Sequence, residues 1–263
     1  MQKNISSCTF QNMSDLNHPD FMQMKSIGHI KSCYPDKFGI PRQSGIVNSV
    51  FSELIILPEW QPEQALIGLN GYSHMWVIFI FHKNSNTRYH AKIHPPRLEG
   101  ESVGVFATRS PHRPNPIGLS LVQIKEIKSD RIIFFGGDLV DGTPVLDIKP
   151  YLPQFESQPE ALQGWSASDN KTGQNGINYK KITVEFTDET EQKIKNWMLQ
   201  RQDPLLQQAI IEIIQQDPRP LVYKGYEQSI SPYKSEHAFR LYNGDIHFKF
   251  LSENHAVVID IIY

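Results

Sequence analysis

The sequence of 263 residues contains only two cysteines, Cys8 and Cys33, and this scarcity limits the sites it can build. Two thiols are too few for a disulfide framework or for a cysteine-based zinc site. No apolar run approaches the roughly 18 residues that a membrane-spanning helix needs. The polar start, Met1 to Lys25, lacks the apolar core of a secretory signal. These absences predict a protein of the reducing cytoplasm with no membrane partner.

Several common ligand-binding motifs are missing as well. No G-x-G-x-x-G follows a strand, which argues against the usual Rossmann cofactor site. No G-x-x-x-x-G-K-[ST] occurs, which excludes a P-loop, and no G-x-S-x-G marks a serine hydrolase. His82, His90 and His94 have loose metal-ligand spacing, but no acidic or cysteine partner lies near them in the sequence. We therefore predict that no metal is bound.

Charge is nearly balanced over the whole chain but not along it. The formal net charge of −2 argues against a globally basic nucleic-acid binder. Between His82 and Asn115, six basic residues stand against two acidic ones, namely Lys83, Arg88, Lys92, Arg97, Arg109 and Arg113 against Glu99 and Glu101. The pattern alone fits either a solvated loop or a surface that contacts phosphates.

Short apolar segments separated by proline and glycine dominate the first 150 residues. Trp76–Phe81 is a continuous apolar run, typical of a strand buried on both faces. Leu119–Ile127 and Arg131–Phe135 flank a three-residue turn and predict a hairpin. Many short strands of this kind favour a sheet-rich barrel or sandwich. Pro153–Asn178, rich in Gln, Ser, Asn and Gly, predicts a linker or a long loop.

The hydrophobic periodicity changes after that segment. Asp188 is a candidate helix cap, followed by apolar residues at helical spacing. Asp203-Pro204 predicts the start of a second helix, and Asn243-Gly244 predicts a hairpin turn between two strands. The chain is thus divided into a flexible leader (1–22), a β-barrel (23–155), a linker (156–178) and a smaller α+β domain (179–263).

Four stretches combine prolines and glycines with charged side chains. They read FGIPRQSGIV at 38–47, YSHMWVIFIFHK at 72–83, FATRSPHRPNPIGLSL at 106–121 and LVDGTPVLDIKPYLP at 139–153. Proline and glycine fix backbone angles, and a rigid loop loses little entropy when it binds a ligand. Ordinary turns use the same residues, so the pattern alone leaves both interpretations open.

At these four stretches the sequence strongly resembles the TrmO family of tRNA methyltransferases, also called TsaA-like or YaeB-like proteins. The resemblance covers about Lys25 to Pro153, and its longest motifs, ATRSPHRPNPIGLSL and DGTPVLDIKPYLP, are highly specific. The residues at 217–220 and 223–225 are similar to the family's C-terminal domain. The segments before Ser26 and from Gln154 to Asn178 match poorly, so no family residue is transferred onto them.

The resemblance implies a mainly β fold, in which an antiparallel barrel binds S-adenosylmethionine without a Rossmann sheet and an α+β domain follows. It also implies a homodimer with the active site at or near the subunit interface. Carried over by position, the residues that contact the cofactor are Pro41, Arg42, Gln43, His82, Lys83, Arg109, Leu119, Asp147, Ile148, Lys149 and Pro150. The family's pattern is intact at each of these motifs.

The chemistry of these residues agrees with such a cofactor. Arg42 and Arg109 offer forked donors that match a carboxylate or a phosphate. Asp147 can accept hydrogen bonds from ribose hydroxyls, and Leu119 can cover the adenine face. A structural network of salt bridges would use the same residue types, so chemistry alone does not decide between the two.

The reaction that the resemblance implies is N6-methylation of threonylcarbamoyladenosine at position 37 of tRNA. Acylation makes the N6–H bond more acidic, so the enzyme must polarise or remove that proton. Asn115 and Asp141 are the candidate acceptors. The anticodon loop of the tRNA would be held by basic side chains, and the candidates are Arg88, Lys92, Arg97, Arg113, Arg219 and Lys224.

Other functions stay open from the residues alone. A non-enzymatic RNA-binding barrel would bind tRNA without affinity for the cofactor. A methyltransferase of the same fold with another substrate would bind the cofactor without depending on tRNA. A zinc hydrolase built on the histidine cluster is a more distant alternative, which metal analysis of the purified protein would test.

Overall fold

The computed structural model describes residues 22–84, 89–95, 98, 101–166, 182–219 and 236–263. Eight strands lie in the N-terminal part of these residues: β1 (Gly28–Lys31), β2 (Phe51–Ile56), β3 (His74–Ile80), β4 (Lys92–Ile93), β5 (Val103–Gly104), β6 (Ile117–Ile127), β7 (Arg131–Phe135) and β8 (Pro144–Pro150). Two short helices, α1 (Pro62–Ala65) and α2 (Pro153–Glu156), accompany them. None of the helices in the described residues is both long and apolar enough to cross a membrane.

Six of these strands form one antiparallel sheet in the order β1-β2-β7-β6-β3-β8. Strand β1 also pairs with β8, so the ring of strand pairings is closed. Among the described residues, strands β4 and β5 form a separate two-stranded sheet. The predicted hairpin is β6-β7, in which Ile127 lies opposite Ile132. The expected mainly β, antiparallel architecture is therefore confirmed.

Alternation of side chains explains the core of this sheet. Along β3, Met75, Val77 and Phe79 are buried, whereas the residues between them are only partly buried. A strand turns successive side chains to opposite faces, so one face of β3 fills the interior. The apolar run that predicts burial on both faces thus has one fully buried face, and its other face is a partly covered outer surface.

The C-terminal part has the α+β composition that the sequence predicts. Its elements are β9 (Thr183–Phe186), α3 (Asp188–Arg201), α4 (Leu206–Gln215), β10 (Glu236–Leu241), β11 (Gly244–Ser252) and β12 (His255–Ile262). The sheet order is β10-β11-β12-β9, with β9 parallel to β12. The N-cap of α3 is Thr187 rather than Asp188, because its side chain accepts a hydrogen bond from the Thr190 amide.

Besides the core inside the six-stranded sheet, a second hydrophobic core contains residues from both parts of the chain. It is built on α3, α4 and the C-terminal sheet, with Trp197, Ile210 and Phe248 fully buried. It also contains Cys33, Tyr34, Val47 and Val50 from the segment between β1 and β2. This N-terminal segment therefore packs into the C-terminal core. The exact division into domains stays a prediction.

Candidate functional site

A cavity of about 710 Å³ lies between two of the four stretches that the sequence singles out. One wall is the first loop, defined here as residues 38–47, which contributes Ile40, Pro41, Arg42 and Gln43. The other wall is the second loop, residues 106–116, which contributes Phe106, Thr108, Arg109, Arg113 and Asn115 among others. The remaining lining comes from the sheet and its turns, through Phe81, Ile117, Gly118, Leu119 and Asp138.

Internal hydrogen bonds give the second loop its shape. The guanidinium of Arg113 donates to the carbonyl oxygen of Thr108 at 3.1 Å. The Asn84 side-chain amide donates to the carbonyl oxygen of Pro111 at 2.6 Å, which fixes the loop to the end of β3. Three prolines, at 111, 114 and 116, restrict the backbone further. These hydrogen bonds and prolines restrict the conformations that the second loop can adopt.

A side-chain hydrogen bond joins the two walls of the cavity. The Nη1 atom of Arg109 donates to Oε1 of Gln43 at 2.7 Å, and Nε2 of Gln43 donates to the carbonyl oxygen of Arg42 at 2.7 Å. Arg42, Gln43 and Arg109 are all expected to contact the cofactor. The fold therefore brings together residues that are 66 positions apart in the sequence.

One lining residue was missed by the sequence analysis. Asp138 follows β7 and directly precedes the dense stretch 139–153, and its carboxylate accepts a 2.6 Å hydrogen bond from Ser120 Oγ. Burial raises the pKa of Asp138 above its usual range, against the opposing effects of the Ser120 hydrogen bond and the charge of Arg109. In the sequence, only the preceding Gly136-Gly137 pair indicates an unusual backbone next to Asp138. In the structure, both glycines have positive φ angles.

Five of the residues expected to contact the cofactor line the cavity, and six do not. Those in the lining are Pro41, Arg42, Gln43, Arg109 and Leu119. The group at 147–150 belongs to β8, where Asp147 lies opposite Ile78 of β3, which in turn lies opposite Leu119. Neighbouring strands are about 4.8 Å apart, so Asp147 lies roughly 10 Å from Leu119 across the sheet. Lys149 forms an ion pair with Asp147 at 2.9 Å.

His82 and Lys83 are exposed at the end of β3, beside the first loop rather than in the cavity lining. The Lys83 ammonium donates to the carbonyl oxygen of Pro35, and the Lys37 ammonium donates to the carbonyl oxygen of Lys83. Partial burial and the neighbouring Lys83 lower the pKa of His82. In a single chain, Lys83 therefore links the end of β3 to the residues just before the first loop, whereas no such contact involves the described His82 side chain.

The two predicted proton acceptors have different surroundings. Asn115 lines the cavity in the second loop. Asp141 does not, because it lies in the exposed turn before β8. Its carboxylate accepts a hydrogen bond from the Ser32 amide at 2.9 Å, and its own amide donates to the carbonyl oxygen of Tyr34. These contacts give Asp141 a role in fixing the turn.

The predicted RNA-binding residues are also dispersed. Lys92 is exposed on β4, and Arg113 lines the cavity. Arg219 is buried instead: its Nε lies 2.7 Å from Asp217 Oδ1, and its guanidinium lies over the Phe250 ring. Such a position argues against direct contact with phosphates. The remaining candidates, Arg88, Arg97 and Lys224, lie outside the described residues.

Within the described ranges, no group of three or more histidine, cysteine, aspartate or glutamate side chains is placed to hold a metal ion. His90 and His94 are exposed there.

Two protein-family models match this chain. The family model for the tRNA-methyltransferase O N-terminal domain matches residues 29–157, and the model for the TrmO C-terminal domain matches residues 179–262. The chain belongs to the TrmO family. The resemblance seen in the sequence motifs is thereby confirmed.

Members of the TrmO family from two bacteria are similar over most of the chain. The tRNA (adenine(37)-N6)-methyltransferase of Escherichia coli K12 is 42% identical over 78% of this chain and 85% of its own. The putative S-adenosylmethionine-dependent methyltransferase RcsF of Pseudomonas aeruginosa PAO1 is 35% identical over 89% and 95%. The crystal structure of TrmO from Pseudomonas aeruginosa superimposes with a TM-score of 0.70 at 31% identity, covering 92% of this chain and 99% of that one.

The match to mammalian TrmO relatives is shorter. The alignment spans about a third of the mouse and rat tRNA (adenine(37)-N6)-methyltransferases, namely 31% and 32% of their lengths.

Proposed function

We propose that this protein is an S-adenosylmethionine-dependent methyltransferase that modifies N6 of adenine 37 in tRNA, and that its substrate is the threonylcarbamoylated base. Membership in the TrmO family and the names of the bacterial relatives support the reaction and the cofactor. The observation that carries the proposal is the cavity in which Arg42, Gln43 and Arg109 meet. These residues come from the stretches that carry the resemblance to the family.

The lining of the cavity fits S-adenosylmethionine. Its volume of about 710 Å³ falls in the range of roughly 300–1,000 Å³ that is usual for small-molecule sites. Arg42 and Arg109 can bind the methionine carboxylate, and the exposed side chains of Phe106 and Leu119 offer apolar surface for the adenine. When bound, the cofactor supplies a methyl group on a positively charged sulfur. The antiparallel sheet would thus hold it without a Rossmann fold.

The chain's own residues would orient the base and handle its proton. The attacking nitrogen has to lie about 3 Å from the methyl carbon and opposite the sulfur, so the two rigid loops must fix both groups. Asn115 is the better placed of the two predicted acceptors, because its second-loop position lines the cavity. Its side-chain amide can hydrogen-bond to the base edge or to the threonylcarbamoyl group.

The basic residues around the cavity would bind the RNA. Lys92 is exposed on β4, close along the chain to the second loop, and can contact the phosphates of the anticodon loop. Arg113 lies deeper, in the cavity lining, where a guanidinium suits the carboxylate of the threonyl group. Together they would place the modified adenine at the cavity mouth.

We also propose that the protein is a homodimer whose subunit interface lies at or near the cavity. Phe106 and Leu119 both line the cavity, yet their side chains are 74% and 51% exposed, which is unusual for neighbouring large apolar residues in a monomer. A second copy on this face would cover them. It would also bring a second set of the β8 residues 147–150 towards the cavity, which accounts for their distance from it within one chain.

A mixing experiment tests this arrangement. If residues 147–150 act across the interface, the variants Arg109→Ala and Asp147→Ala are each inactive, but a mixed dimer regains one intact site. We expect light scattering to give twice the mass of one chain, and the mixture to show measurable activity. A monomer in solution would contradict the dimer, and a mixture no more active than its components would contradict the contribution of residues 147–150 across the interface.

The most informative test measures transfer of a labelled methyl group from S-adenosylmethionine to tRNA. The tRNA is supplied with and without the threonylcarbamoyl group, and the nucleosides are then analysed by mass spectrometry. We expect label on N6 of threonylcarbamoyladenosine only. Tight tRNA binding without cofactor affinity would favour the non-enzymatic RNA-binding barrel. Cofactor binding with no labelled tRNA nucleoside would favour a different substrate.

A further inference from the structure

Asp138 is a partly buried carboxylate at the cavity to which neither the family's motifs nor the sequence analysis gives a role. We propose that Asp138 is the general base that accepts the proton from N6 of the adenine. This inference rests on the proposed function and deepens it.

The position of Asp138 supports the assignment. Its side chain lines the same cavity as Arg109 and Asn115, and Ser120 Oγ donates a 2.6 Å hydrogen bond to its Oδ1. Ser120 is almost completely buried on β6, two residues after Gly118, which also lines the cavity. The carboxylate is therefore oriented by a fixed donor on a rigid strand, as a proton acceptor in a catalytic site must be.

Burial and the neighbouring groups shift the pKa of Asp138 in opposite directions. Burial raises the pKa of the carboxyl above its usual range, while the Ser120 hydrogen bond and the positive charge of Arg109 oppose that rise. Arg42 and Arg113 are the other charged residues in the lining of the cavity. A carboxylate with a raised pKa is a stronger base than one in water, provided that neighbouring donors keep it ionised at neutral pH.

The proposed step balances. As the bond between N6 and the methyl carbon forms, the N6–H proton moves to the Asp138 carboxylate. The bond between the methyl carbon and sulfur breaks, and its electron pair stays on the now neutral sulfur. Asp138 then releases the proton to solvent after the products leave. The positive charge lost from sulfur equals the charge carried away by the proton.

Asp141, the carboxylate that the sequence favours, is less suited to this role. It is exposed, it lies in a turn outside the cavity lining, and its oxygen is engaged by the Ser32 amide. Only two residues, Leu139 and Val140, therefore separate a carboxylate that stabilises a turn from one that faces the site.

The first test is Asp138→Asn, which keeps the size of the side chain and an oxygen acceptor for Ser120. We expect kcat for threonylcarbamoylated tRNA to fall at least about 100-fold, the usual scale for loss of a general base. The Kd for S-adenosylmethionine, measured by calorimetry, should change by less than about threefold if the cofactor is bound by other residues. Glu126→Gln, the same chemical change at an exposed position of β6, is the matched control with unaltered kcat.

The second test follows the pKa itself. In the protein without cofactor, the Asp138 carboxyl is titrated by NMR after 13C labelling, and wild-type kcat/KM, which reports groups of the free enzyme, should decline on the acid side with the same pKa. Ser120→Ala removes a donor that favours the charged carboxylate, so it should raise the pKa and move the acid limb of kcat/KM to higher pH. A purely structural Asp138 would leave that limb where it is.

The outcomes separate this inference from the proposed function. If the wild-type protein methylates the tRNA but Asp138→Asn keeps its kcat, or loses cofactor affinity instead, the general-base role is wrong and the proposed function stands. If Asp138→Asn fails to fold, Ser120→Ala decides, since an NMR pKa that moves without the acid limb contradicts the role. If the wild-type protein methylates no adenine in tRNA, both proposals are overturned.

Discussion

The Nη1 atom of Arg109 lies 2.7 Å from Oε1 of Gln43, and this hydrogen bond closes the cavity between the first and second loops. Each residue lies two positions from a proline that restricts the local backbone, Pro41 in the first loop and Pro111 in the second. Donors held in this way lose little entropy when a ligand binds. The site is thus a property of the folded chain, because it depends on contacts between distant segments.

The first loop is also anchored from the C-terminal part. The Glu212 carboxylate on α4 accepts hydrogen bonds from the Asn48 and Ser49 amides at 2.9 and 3.1 Å, and from Ser49 Oγ at 2.8 Å. We expect Glu212→Ala to lower the free energy of unfolding by about 1–3 kcal/mol, because the buried Ser49 amide and hydroxyl lose their acceptor. We also expect the affinity for S-adenosylmethionine to fall several-fold, because residues 40–43 lose their support.

Urea denaturation and calorimetry measure the two effects of Glu212→Ala. Glu191→Ala on α3 is the control, since Glu191 contacts Lys195 at 3.5 Å on the surface and surface pairs contribute little. Normal cofactor affinity in a destabilised Glu212→Ala protein would mean that the first loop holds its shape without α4.

Gly118 lines the cavity and packs directly against the core residue Phe79. A Cβ atom at this position would overlap the ring of Phe79, which is buried inside the sheet. We expect Gly118→Ala to destabilise the protein by about 1–3 kcal/mol, as overpacking does. Thermal unfolding checks this against Gly104→Ala, where the added methyl group would meet no atom within 4 Å. Equal stability of the two variants would show that Phe79 can move aside without cost.

The buried thiol of Cys33 predicts a loss of stability at alkaline pH. Burial raises its pKa to about 12 from an ordinary value of 9.0, against a smaller opposing effect of the Tyr34 hydrogen bond. Above pH 9 the unfolded chain therefore loses this proton while the folded chain keeps it, so the free energy of unfolding falls as pH rises, by up to about 1.4 kcal/mol per pH unit.

Urea denaturation at several pH values between 8 and about 10.5 measures this effect of Cys33. The variant Cys33→Ala lacks the titrating group, so its stability should decline less steeply over the same interval. Identical slopes for the two proteins would show that the thiol contributes nothing to the pH dependence.

The exposed ammonium of Lys92 predicts a salt-dependent contribution to tRNA binding. We expect Lys92→Ala to weaken tRNA binding at low salt and to reduce the slope of log K against log salt by about one, since one phosphate contact is lost. Lys125→Ala is the control, because the Lys125 ammonium lies over the Phe51 ring on the sheet. An unchanged slope for Lys92→Ala would remove this residue from the RNA surface.

Local signals in the sequence predict much of the fold. The β6-β7 hairpin and the turn at Asn243-Gly244 follow from turn residues between alternating apolar segments. The helix cap differs by one residue, because Thr187 and Asp188 are both good caps and only the structure shows which side chain bonds to the Thr190 amide. The closed order of the six strands depends on contacts such as β1 with β8, which no local pattern encodes.

The sequence predicts only some of the residues at the site. Arg42, Gln43 and Arg109 stand in motifs, and the cavity unites them. The sequence does not predict Asp138 or Glu212, because each depends on a partner that is distant in the chain. Asp138 accepts a hydrogen bond from Ser120, and Glu212 accepts one from Ser49. Arg219 shows the opposite error, since a basic residue in a family-like motif is paired with Asp217 inside the protein.

The central claim is that the cavity between the two loops binds S-adenosylmethionine, and calorimetric titration of the cofactor tests it most directly. We expect saturable binding to the wild-type protein and about 10- to 100-fold weaker binding to Arg109→Ala, because a charge-assisted contact is lost. Arg131→Ala, which removes a surface arginine paired with Glu53 and Asp130, should bind normally. Unchanged affinity in Arg109→Ala would contradict the claim.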